Sequence, residues 1–376
     1  MGFSCGIVGL PNVGKSTIFN ALTSGKAASA NFPFCTIEPN TGAVPLQDDR
    51  LNKLSTITKS EKIIPTQMTF VDIAGLIKGA SKGEGLGNQF LGHIRSTDAI
   101  AHVVRVFTDD NVIHVEGAMD PLRDLDTIIT ELVFSDYESI ERQHEKLVKE
   151  TRARKSDTLT ALLNAVKSLE QHLATGAPAR SFMGEEITDY MAAEQFTLIK
   201  TQLLTHKPAM IIANVDEDMI GPDYKPLVGS ALANVTQYAR EHAYPIVKIC
   251  GKIEAEIAEF DPIERREYLS QYGVKESGLS ALTFAGYDLL GLVTYFTSGP
   301  KETRAWTIQK GTKAPQAAGE IHSDFEKNFI RAEVISFDDF IIHQGEFKAK
   351  EAGKMRVEGK EYVMQDGDVV FFRIGG

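Results

Sequence analysis

A glycine-rich segment near the start of the chain has the residue types and spacing that hold nucleotide phosphates. Its letters, GLPNVGKS at positions 9–16, fit the pattern G-x-x-x-x-G-K-S. An apolar run precedes the segment and a helix-like stretch follows it, which is the context that supports the pattern. Backbone N–H groups of such a loop point at phosphate oxygens, and the helix N-terminus adds its positive dipole end. We therefore predict that a nucleoside triphosphate contacts Asn12, Val13, Gly14, Lys15, Ser16 and Thr17.

Side chains around this loop are suited to a bound Mg²⁺ ion. Lys15 can reach the β- and γ-phosphates, and the Ser16 hydroxyl can ligate the metal. Asp72 ends the apolar run MTFVD, so its carboxylate can hold Mg²⁺ through a water, and the N–H of Gly75 can bond the γ-phosphate. Further glycines follow this D-x-x-G motif closely, which is typical of a switch loop that the γ-phosphate orders.

A threonine is expected to complete the metal site, because a threonine of the first switch closes over Mg²⁺ and the γ-phosphate in this class of protein. Thr36 lies between two prolines in the loop FPFCTIEPN and is our choice. Thr23 and Thr41 are other candidates, although Thr23 falls within the first predicted helix. The predicted metal ligands are Ser16, Thr36 and Asp72.

A second loop, NVDE at positions 214–217, is predicted to lie against the base. GTPases of this kind carry N-K-x-D here, and their aspartate accepts two hydrogen bonds from guanine. This chain has Val215 for the lysine and Glu217 for the aspartate. Because a glutamate is one methylene longer, it would misplace the two bonds to guanine, and such a loss shifts specificity strongly. We therefore predict ATP rather than GTP, with base contacts from Asn214, Val215 and Glu217.

Two alternatives concern this base site. The NVDE loop could leave the base untouched, although loops at this edge of a sheet usually contact the ligand. The motif CGK at 250–252 would also lie near the base edge, but it is weak.

Buried strands must position these loops. Five apolar runs separated by helical patterns read as parallel strands: SCGIVG, MTFVDIAG, AIAHVVRVF, AMIIANV and YPIVKIC. This alternation is typical of a doubly wound α/β sheet, whose ligands bind at the carboxyl ends of the strands. The phosphate loop, Asp72 and Asn214 all follow such ends, so we predict a P-loop α/β domain.

A segment without strand signals interrupts the alternation from about residue 120 to residue 204. Apolar residues recur every three or four positions over 129–151 and 159–173, and the polar letters TRARKSD separate the two stretches. This seam predicts an antiparallel helical hairpin inserted into the α/β domain. Two helices lying flat on the sheet are the alternative. From Thr303 onward, β-rich runs and turn signals predict a small mixed β domain.

Composition limits the class of partner. The formal net charge of −11 excludes a protein-wide basic surface, so no DNA partner is expected. Three widely spaced cysteines indicate a reducing compartment. Neither a signal-peptide pattern nor a membrane-spanning run is present, so we expect a cytoplasmic protein without a membrane partner, and a monomer.

Four segments resemble the YchF, or Obg-like ATPase, family, and the similarity runs nearly end to end. They are GLPNVGKST, DIAGLIKGASKGEGLGNQFL, NVDE and RAWTIQKGTKAPQAAGEIHSDFEKNFIRAEV. The resemblance implies a Ras-like G domain of the Obg type at 1–280 with a coiled-coil insertion at 125–204, a linker at 281–302, and a C-terminal β-grasp (TGS) domain at 303–376. It also implies preference for ATP and association with ribosomes.

The catalytic residues differ from those of Ras-like proteins. Leu76 stands where they place a water-orienting glutamine. In P-loop proteins with a hydrophobic residue there, an asparagine at the position of Asn12 can help bind K⁺, whose charge replaces that of an arginine finger. His114 is similar to a family histidine proposed to position the water, and a solvated loop histidine is the alternative.

The predicted function is that of an ATP-binding and slowly ATP-hydrolysing switch protein that associates with the ribosome, as the 50S subunit, the 70S particle or rRNA. The basic hairpin turn VKETRARK could contact RNA, or it could be an ordinary solvated helix end. Two other functions remain open: a GTPase of the Obg kind, and an ATP-sensing ribosome-binding module with negligible turnover.

Overall fold

The computed structural model describes residues 3–24, 41–73, 86–108 and 119–375 of the chain. The chain falls into two compact units. The first unit comprises Met1–Gly42 and Thr69–Leu282, and the second comprises Ala43–Met68 and Thr283–Gly376.

Strands and helices follow one another through both units. The strands of the described residues are β1 Ser4–Val8, β2 Thr41–Pro45, β3 Lys62–Ile64, β4 Gln67–Asp72, β5 Ala99–Arg105, β6 Ala209–Asn214, β7 Ile246–Ile249, β8 Leu292–Ser298, β9 Glu302–Gln309, β10 Phe329–Ser336, β11 Arg356–Glu358 and β12 Asp368–Ile374. The α-helices are α1 Lys15–Ser24, α2 Asp49–Thr58, α3 Leu86–Arg95, α4 Pro121–Ala153, α5 Asp157–Ala174, α6 Tyr190–Thr201, α7 Ala231–Glu241, α8 Gly251–Ile257, α9 Pro262–Ser270, α10 Gly278–Leu289, α11 Ala314–Ile321, α12 Ser323–Lys327, α13 Phe337–Ile342 and α14 Glu346–Glu351. No described helix is long and apolar enough to cross a membrane.

The first sheet has the strand order β2-β4-β1-β5-β6-β7. β1 pairs in parallel with β4 and β5, and β6 pairs in parallel with β5 and β7. Every residue of β5 and β6 is buried, as expected of central strands covered on both faces. Because the strands are parallel, β1, β4 and β6 present their carboxyl ends at one edge. The predicted P-loop α/β fold is confirmed.

The helical insertion is a hairpin of α4 and α5 followed by a third helix, α6. Asp120 caps the N-terminus of α4 and Ser156 caps that of α5, so the chain reverses within three residues. The ion pair between His144 Nδ1 and Glu170 Oε2, 2.5 Å apart, joins the two helices. The predicted apolar positions form the buried seam: Ile129, Val133, Ile140, Leu147, Leu162, Val166, Leu169 and Leu173. Helix α4 also packs against β5 of the first sheet. The insertion therefore has features of both predicted arrangements, the helical hairpin and helices lying on the sheet.

The second unit contains a mixed sheet in the order β11-β10-β12-β8-β9-β3. Tyr295 and Phe296, adjacent on β8, are both fully buried and belong to different core clusters, so both faces of the sheet are covered. This division of the chain differs from the predicted boundaries. Residues 43–68, predicted to be part of the G domain, belong to this unit because β3 pairs in parallel with β9. The segment 281–302, predicted to be a linker, contains β8, which lies inside the sheet.

A histidine without polar partners lies in the middle of the first sheet. His102 of β5 is fully buried, and neither ring nitrogen has a hydrogen-bond partner among the described residues. Burial, aided by the nearby Arg180 guanidinium, lowers the pKa of His102 to about 3. The folded protein therefore keeps this ring neutral at pH values where the unfolded chain, with a histidine pKa of about 6.5, becomes protonated.

Stability is expected to fall below pH 6.5 because of this residue. Between about pH 6.5 and pH 3 the unfolded chain binds a proton that folded His102 does not, so His102 removes about 2 kcal/mol of unfolding free energy at pH 5. When the pH is lowered from 7 to 5, the unfolding free energy of a His102→Leu variant, measured by urea unfolding, should fall by about 2 kcal/mol less than that of the unsubstituted protein. The control is His93→Gln, at an exposed position, which should show the same pH dependence as the unsubstituted protein. Buried Glu254, with a pKa raised to about 7, contributes with the opposite sign in all three proteins. Equal pH dependence of His102→Leu and the unsubstituted protein would contradict this prediction.

Candidate functional site

The glycine-rich loop joins the end of β1 to the start of α1. Gly14 has φ +88° and Asn12 has φ +64°, both in the left-handed region, where glycine is unstrained and asparagine is the best tolerated of the other residues. A Cβ on Gly9 would lie 2.8 Å from Cγ2 of Val13 and 3.0 Å from the carbonyl oxygen of Val103. The path of the loop therefore requires glycine at both glycine positions of the motif.

The N-terminus of α1 faces solvent at this loop. Ser16 and Thr17 are exposed in its first turn, and no acidic residue lies there. The first N–H groups of a helix have no intrahelical partner and carry a partial positive charge. This end of α1 is therefore suited to an anion such as a phosphate.

Lys15 and Asp72 form an ion pair between the phosphate loop and the end of β4. The pairing of Ile7 of β1 with Asp72 places this carboxylate beside the strand that leads into the loop. Both side chains are largely shielded from solvent, with 10% of Lys15 and 18% of Asp72 exposed. The two charges balance each other, and the pair brings together a cation of the type that suits phosphate and a carboxylate of the type that suits a metal.

Asn214 joins three loops at the same edge. Its Nδ2 donates to the carbonyl oxygen of Val13, 2.9 Å away, and its Oδ1 accepts from the N–H of Gly251, 3.0 Å away. The residue is 4% exposed, so both bonds are buried. Asn214 thus fixes the phosphate loop to the segments after β6 and β7, and its amide is already bonded to the protein itself.

The rest of the NVDE loop is also held by the protein. Val215 is buried and its N–H donates to the carbonyl oxygen of Ile249, so the valine side chain belongs to the core. The Asp216 carboxylate accepts from the N–H and the hydroxyl of Thr108, both at 3.0 Å. These bonds fasten the loop to the segment that follows β5.

Glu217 carries an ion pair rather than a free carboxylate. Its Oε1 lies 2.6 Å from Nζ of Lys252, and its Oε2 accepts from the hydroxyl of Tyr272 at 3.3 Å. The hydrogen bond from Lys252 lowers the pKa of Glu217, and the same bond raises the pKa of Lys252. Glu217 is therefore ionised and paired at neutral pH.

Four predicted residues lie outside the described part of the chain: Thr36, Gly75, Leu76 and His114. Of the predicted metal ligands, Ser16 and Asp72 are described. A hydroxyl and a carboxylate fit Mg²⁺, which prefers oxygen ligands, keeps several waters and usually takes one or two carboxylates together with phosphates. The described residues contain no cluster of three His, Cys, Asp or Glu side chains that would hold a metal without a nucleotide.

Some contacts of the site had no clear signal in the sequence. Tyr272 follows α9, 55 positions after Glu217 along the chain, and the bond between Asp216 and Thr108 spans 108 positions. Lys252 was part of the weak CGK motif, but nothing in that motif indicated Glu217 as its partner. Such pairs depend on how the strands are ordered in the sheet, which local patterns do not specify.

Two family models match the chain. The model YchF-GTPase_C, described as a protein of unknown function, matches residues 292–375. The model MMR_HSR1, described as a 50S ribosome-binding GTPase, matches residues 4–148.

Relatives match over nearly the whole chain. The chain is 52% identical over 372 residues to the ribosome-binding ATPase YchF of Escherichia coli O157:H7, and 49% identical over 374 residues to that of Bacillus subtilis, with 99% of both chains covered in each case. It also resembles a solved structure described as the Schizosaccharomyces pombe YchF GTPase. That match has a TM-score of 0.86 at 37% identity and covers 99% of this chain and 98% of the other.

Proposed function

This chain belongs to the YchF family, and on that premise we propose that it is an ATP-binding and ATP-hydrolysing switch protein that associates with the ribosome. The observation that carries the proposal is the Lys15–Asp72 pair, which joins the phosphate loop at the exposed N-terminus of α1 to the end of β4. The names of the bacterial relatives support both the ATPase activity and the ribosome as partner.

The phosphates would bind along residues 12–17, with Lys15 turning from Asp72 to the β- and γ-phosphates. Asp72, Ser16 and Thr36 would then hold Mg²⁺, which neutralises phosphate charge during transfer. Asn12 would help to hold K⁺ beside the phosphates. In this proposal the N–H of Gly75 bonds the γ-phosphate, and His114 positions the attacking water in place of the glutamine that Leu76 replaces.

The base would bind beside the NVDE loop. In this proposal Asn214 acts mainly by fixing the phosphate loop, Val215 offers its backbone, and Glu217 lies at the edge of the base. The relatives' names differ on the nucleotide, since the bacterial proteins are called ATPases and the fission-yeast structure a GTPase. The pairing of Glu217 with Lys252 supports ATP, because guanine is normally recognised by a carboxylate free to accept its two donors.

The nucleotide preference and turnover can be measured directly. ATP is expected to displace a fluorescent nucleotide at least tenfold more effectively than GTP, a difference of about 1.4 kcal/mol. Phosphate release from ATP should be slow and faster in K⁺ than in Na⁺, and His114→Ala should bind ATP normally but lose turnover. Tighter binding of GTP would make the protein a GTPase of the Obg kind. ATP binding without phosphate release would make it an ATP-sensing module.

The ribosome contact is proposed to include the tip of the α4–α5 hairpin. Lys149, Arg152, Arg154 and Lys155 are all exposed there, within seven residues of chain. Clustered cations of this kind bind RNA phosphates and release counterions. The C-terminal part of the second unit, residues 303–376, is proposed to be the TGS domain that shares in this contact.

Removing the four tip cations should weaken ribosome co-sedimentation at least tenfold at low salt, with a smaller loss at high salt. The matched control removes four exposed cations of the same unit, Lys225, Arg240, Arg266 and Lys275, and should co-sediment normally. Binding of the unsubstituted protein should also differ between ATP and ADP, as a switch requires. Equal losses of ribosome binding in both variants would contradict a role for the hairpin tip. Equal ribosome binding with ATP, with ADP and without nucleotide would contradict the switch function.

A further inference from the structure

Glu217 and its partners form a polar cluster at the edge of the site, where the base is proposed to bind. Each carboxylate oxygen already accepts a hydrogen bond, Oε1 from Lys252 at 2.6 Å and Oε2 from Tyr272 at 3.3 Å. An ionised carboxylate has further lone pairs, but its charge is neutralised here by the ammonium group. The cluster therefore presents a donor, the Lys252 ammonium, beside the acceptor that guanine would need.

The position of Lys252 is not explained by helix stability. It lies in the first turn of α8, where the positive end of the helix dipole disfavours a cation. Its side chain is 70% exposed, so it adds little to the core. The preceding residue, Gly251, is bonded to Asn214 and through it to the phosphate loop, which fixes the backbone next to Lys252 relative to that loop.

The two purines differ at the edge that such a cluster would face. Guanine presents donors at N1–H and at its N2 amino group, whereas adenine presents an acceptor at N1 and has no N2 amino group. An ammonium donor therefore matches adenine and opposes guanine, while a free carboxylate does the reverse. A polar group left unmatched in a binding site reduces affinity for the wrong ligand.

We propose that Lys252 is a specificity-determining residue, which favours ATP over GTP by pairing with Glu217 and presenting a donor where guanine needs an acceptor. This inference rests on the proposed ATP-binding function and names a residue that sets its base preference. The length of Glu217 then matters less than its pairing with Lys252. Tyr272 is a positioning residue that holds the second carboxylate oxygen.

The test is the ratio of ATP to GTP dissociation constants, measured by competition with a fluorescent nucleotide. In Lys252→Met, which keeps most of the side-chain length and removes the charge, the preference for ATP should fall about fivefold, the effect of losing one partly exposed ion pair. Lys252→Arg retains a donor and should keep most of the preference. Lys275→Met removes an exposed lysine elsewhere in the unit and should leave the ratio unchanged.

Binding of inorganic tripolyphosphate reports whether the phosphate loop is intact. Its affinity should be the same in the unsubstituted protein and in the three variants. An ATP preference unchanged in Lys252→Met, with intact tripolyphosphate binding, would overturn the role of Lys252 while leaving the ATP-binding function in place. Failure of the unsubstituted protein to prefer ATP would instead contradict the proposed function. A merely structural role for the ion pair would lower the melting temperature without changing the ratio.

Discussion

Gly14→Ala should lose nucleotide binding and much of its stability at once. At φ +88° an alanine costs about 1–2 kcal/mol, and its Cβ would overlap Nδ2 of Asn214. The amide would have to move, which breaks its bond to the carbonyl oxygen of Val13 and leaves a buried acceptor unpaired, at about 1–3 kcal/mol. We expect the unfolding free energy to fall by about 3 kcal/mol in urea titrations. Affinity for ATP should fall more than a hundredfold in calorimetric titration, because the loop can no longer direct its N–H groups at the phosphates.

A matched control separates backbone strain from loop geometry. Gly176, in the turn after α5, has φ +84°, and no described atom lies within 4 Å of the Cβ that an alanine would add. Gly176→Ala should therefore lose only the cost of the left-handed backbone, about 1 kcal/mol, and bind ATP normally. If the two variants lost equal stability, or if Gly14→Ala bound ATP normally, the Asn214 contact could not be what fixes the loop.

The phosphate loop could be predicted because its signal is local. Gly9, Gly14, Lys15 and Ser16 lie within eight consecutive residues, so the motif can be recognised without knowing which distant residues pack against it. Asp72 could be added because parallel strands bring their carboxyl ends to one edge. In the structure Asp72 pairs with Lys15 of the loop, and its role as a metal ligand stays a prediction.

The base site could be predicted less completely. Sequence comparison with N-K-x-D suggested that Glu217 disfavours guanine by its extra methylene, but the structure adds a cation at 2.6 Å that changes what the carboxylate can do. Asn214 was predicted to contact the base, and that contact stays a prediction; the bonds of its amide to Val13 and Gly251, which connect the loops, were not predicted. Both facts depend on residues far apart in the chain, and a single sequence carries no record of which of them meet.

The same limit explains the domain boundaries. Heptad spacing predicted the α4–α5 hairpin, because the seam repeats along each helix. The three-residue strand β3 carries no comparable pattern, and its pairing with β9, some 240 residues later, draws residues 43–68 into the second unit. The segment 281–302 was predicted to be a linker on the family resemblance, and only the neighbours of β8 in the sheet identify it as a central strand.

Replacement of Lys15 by methionine should abolish most of the proposed activity while leaving the fold intact. Charge-assisted bonds to phosphate contribute about 1.5–3 kcal/mol each, so we expect ATP affinity to fall by about a hundredfold. Phosphate release at saturating ATP should fall a further hundredfold or more, because Lys15 would stabilise charge that develops during transfer. The measurements are calorimetric titration and single-turnover phosphate release. Asp72→Asn, which breaks the same ion pair but keeps the cation, should retain ATP binding and lose its dependence on Mg²⁺.

Lys207→Met is the control for Lys15→Met. It tests whether replacing another partly buried lysine of the first unit also reduces ATP binding and hydrolysis. Its ammonium group donates to the carbonyl oxygens of Arg95 and Thr97, contacts that hold α3 and its following turn but lie away from the proposed nucleotide contacts. This variant should lose stability, since two carbonyl groups lose a donor, and should bind and hydrolyse ATP normally. The opposite pattern, with Lys15→Met active and Lys207→Met inactive, would mean that the Lys15–Asp72 pair is a structural contact and that the phosphates bind elsewhere. If Lys15 turns from Asp72 to the γ-phosphate, as proposed, ATP binding frees this carboxylate for Mg²⁺, and the metal site then depends on the nucleotide.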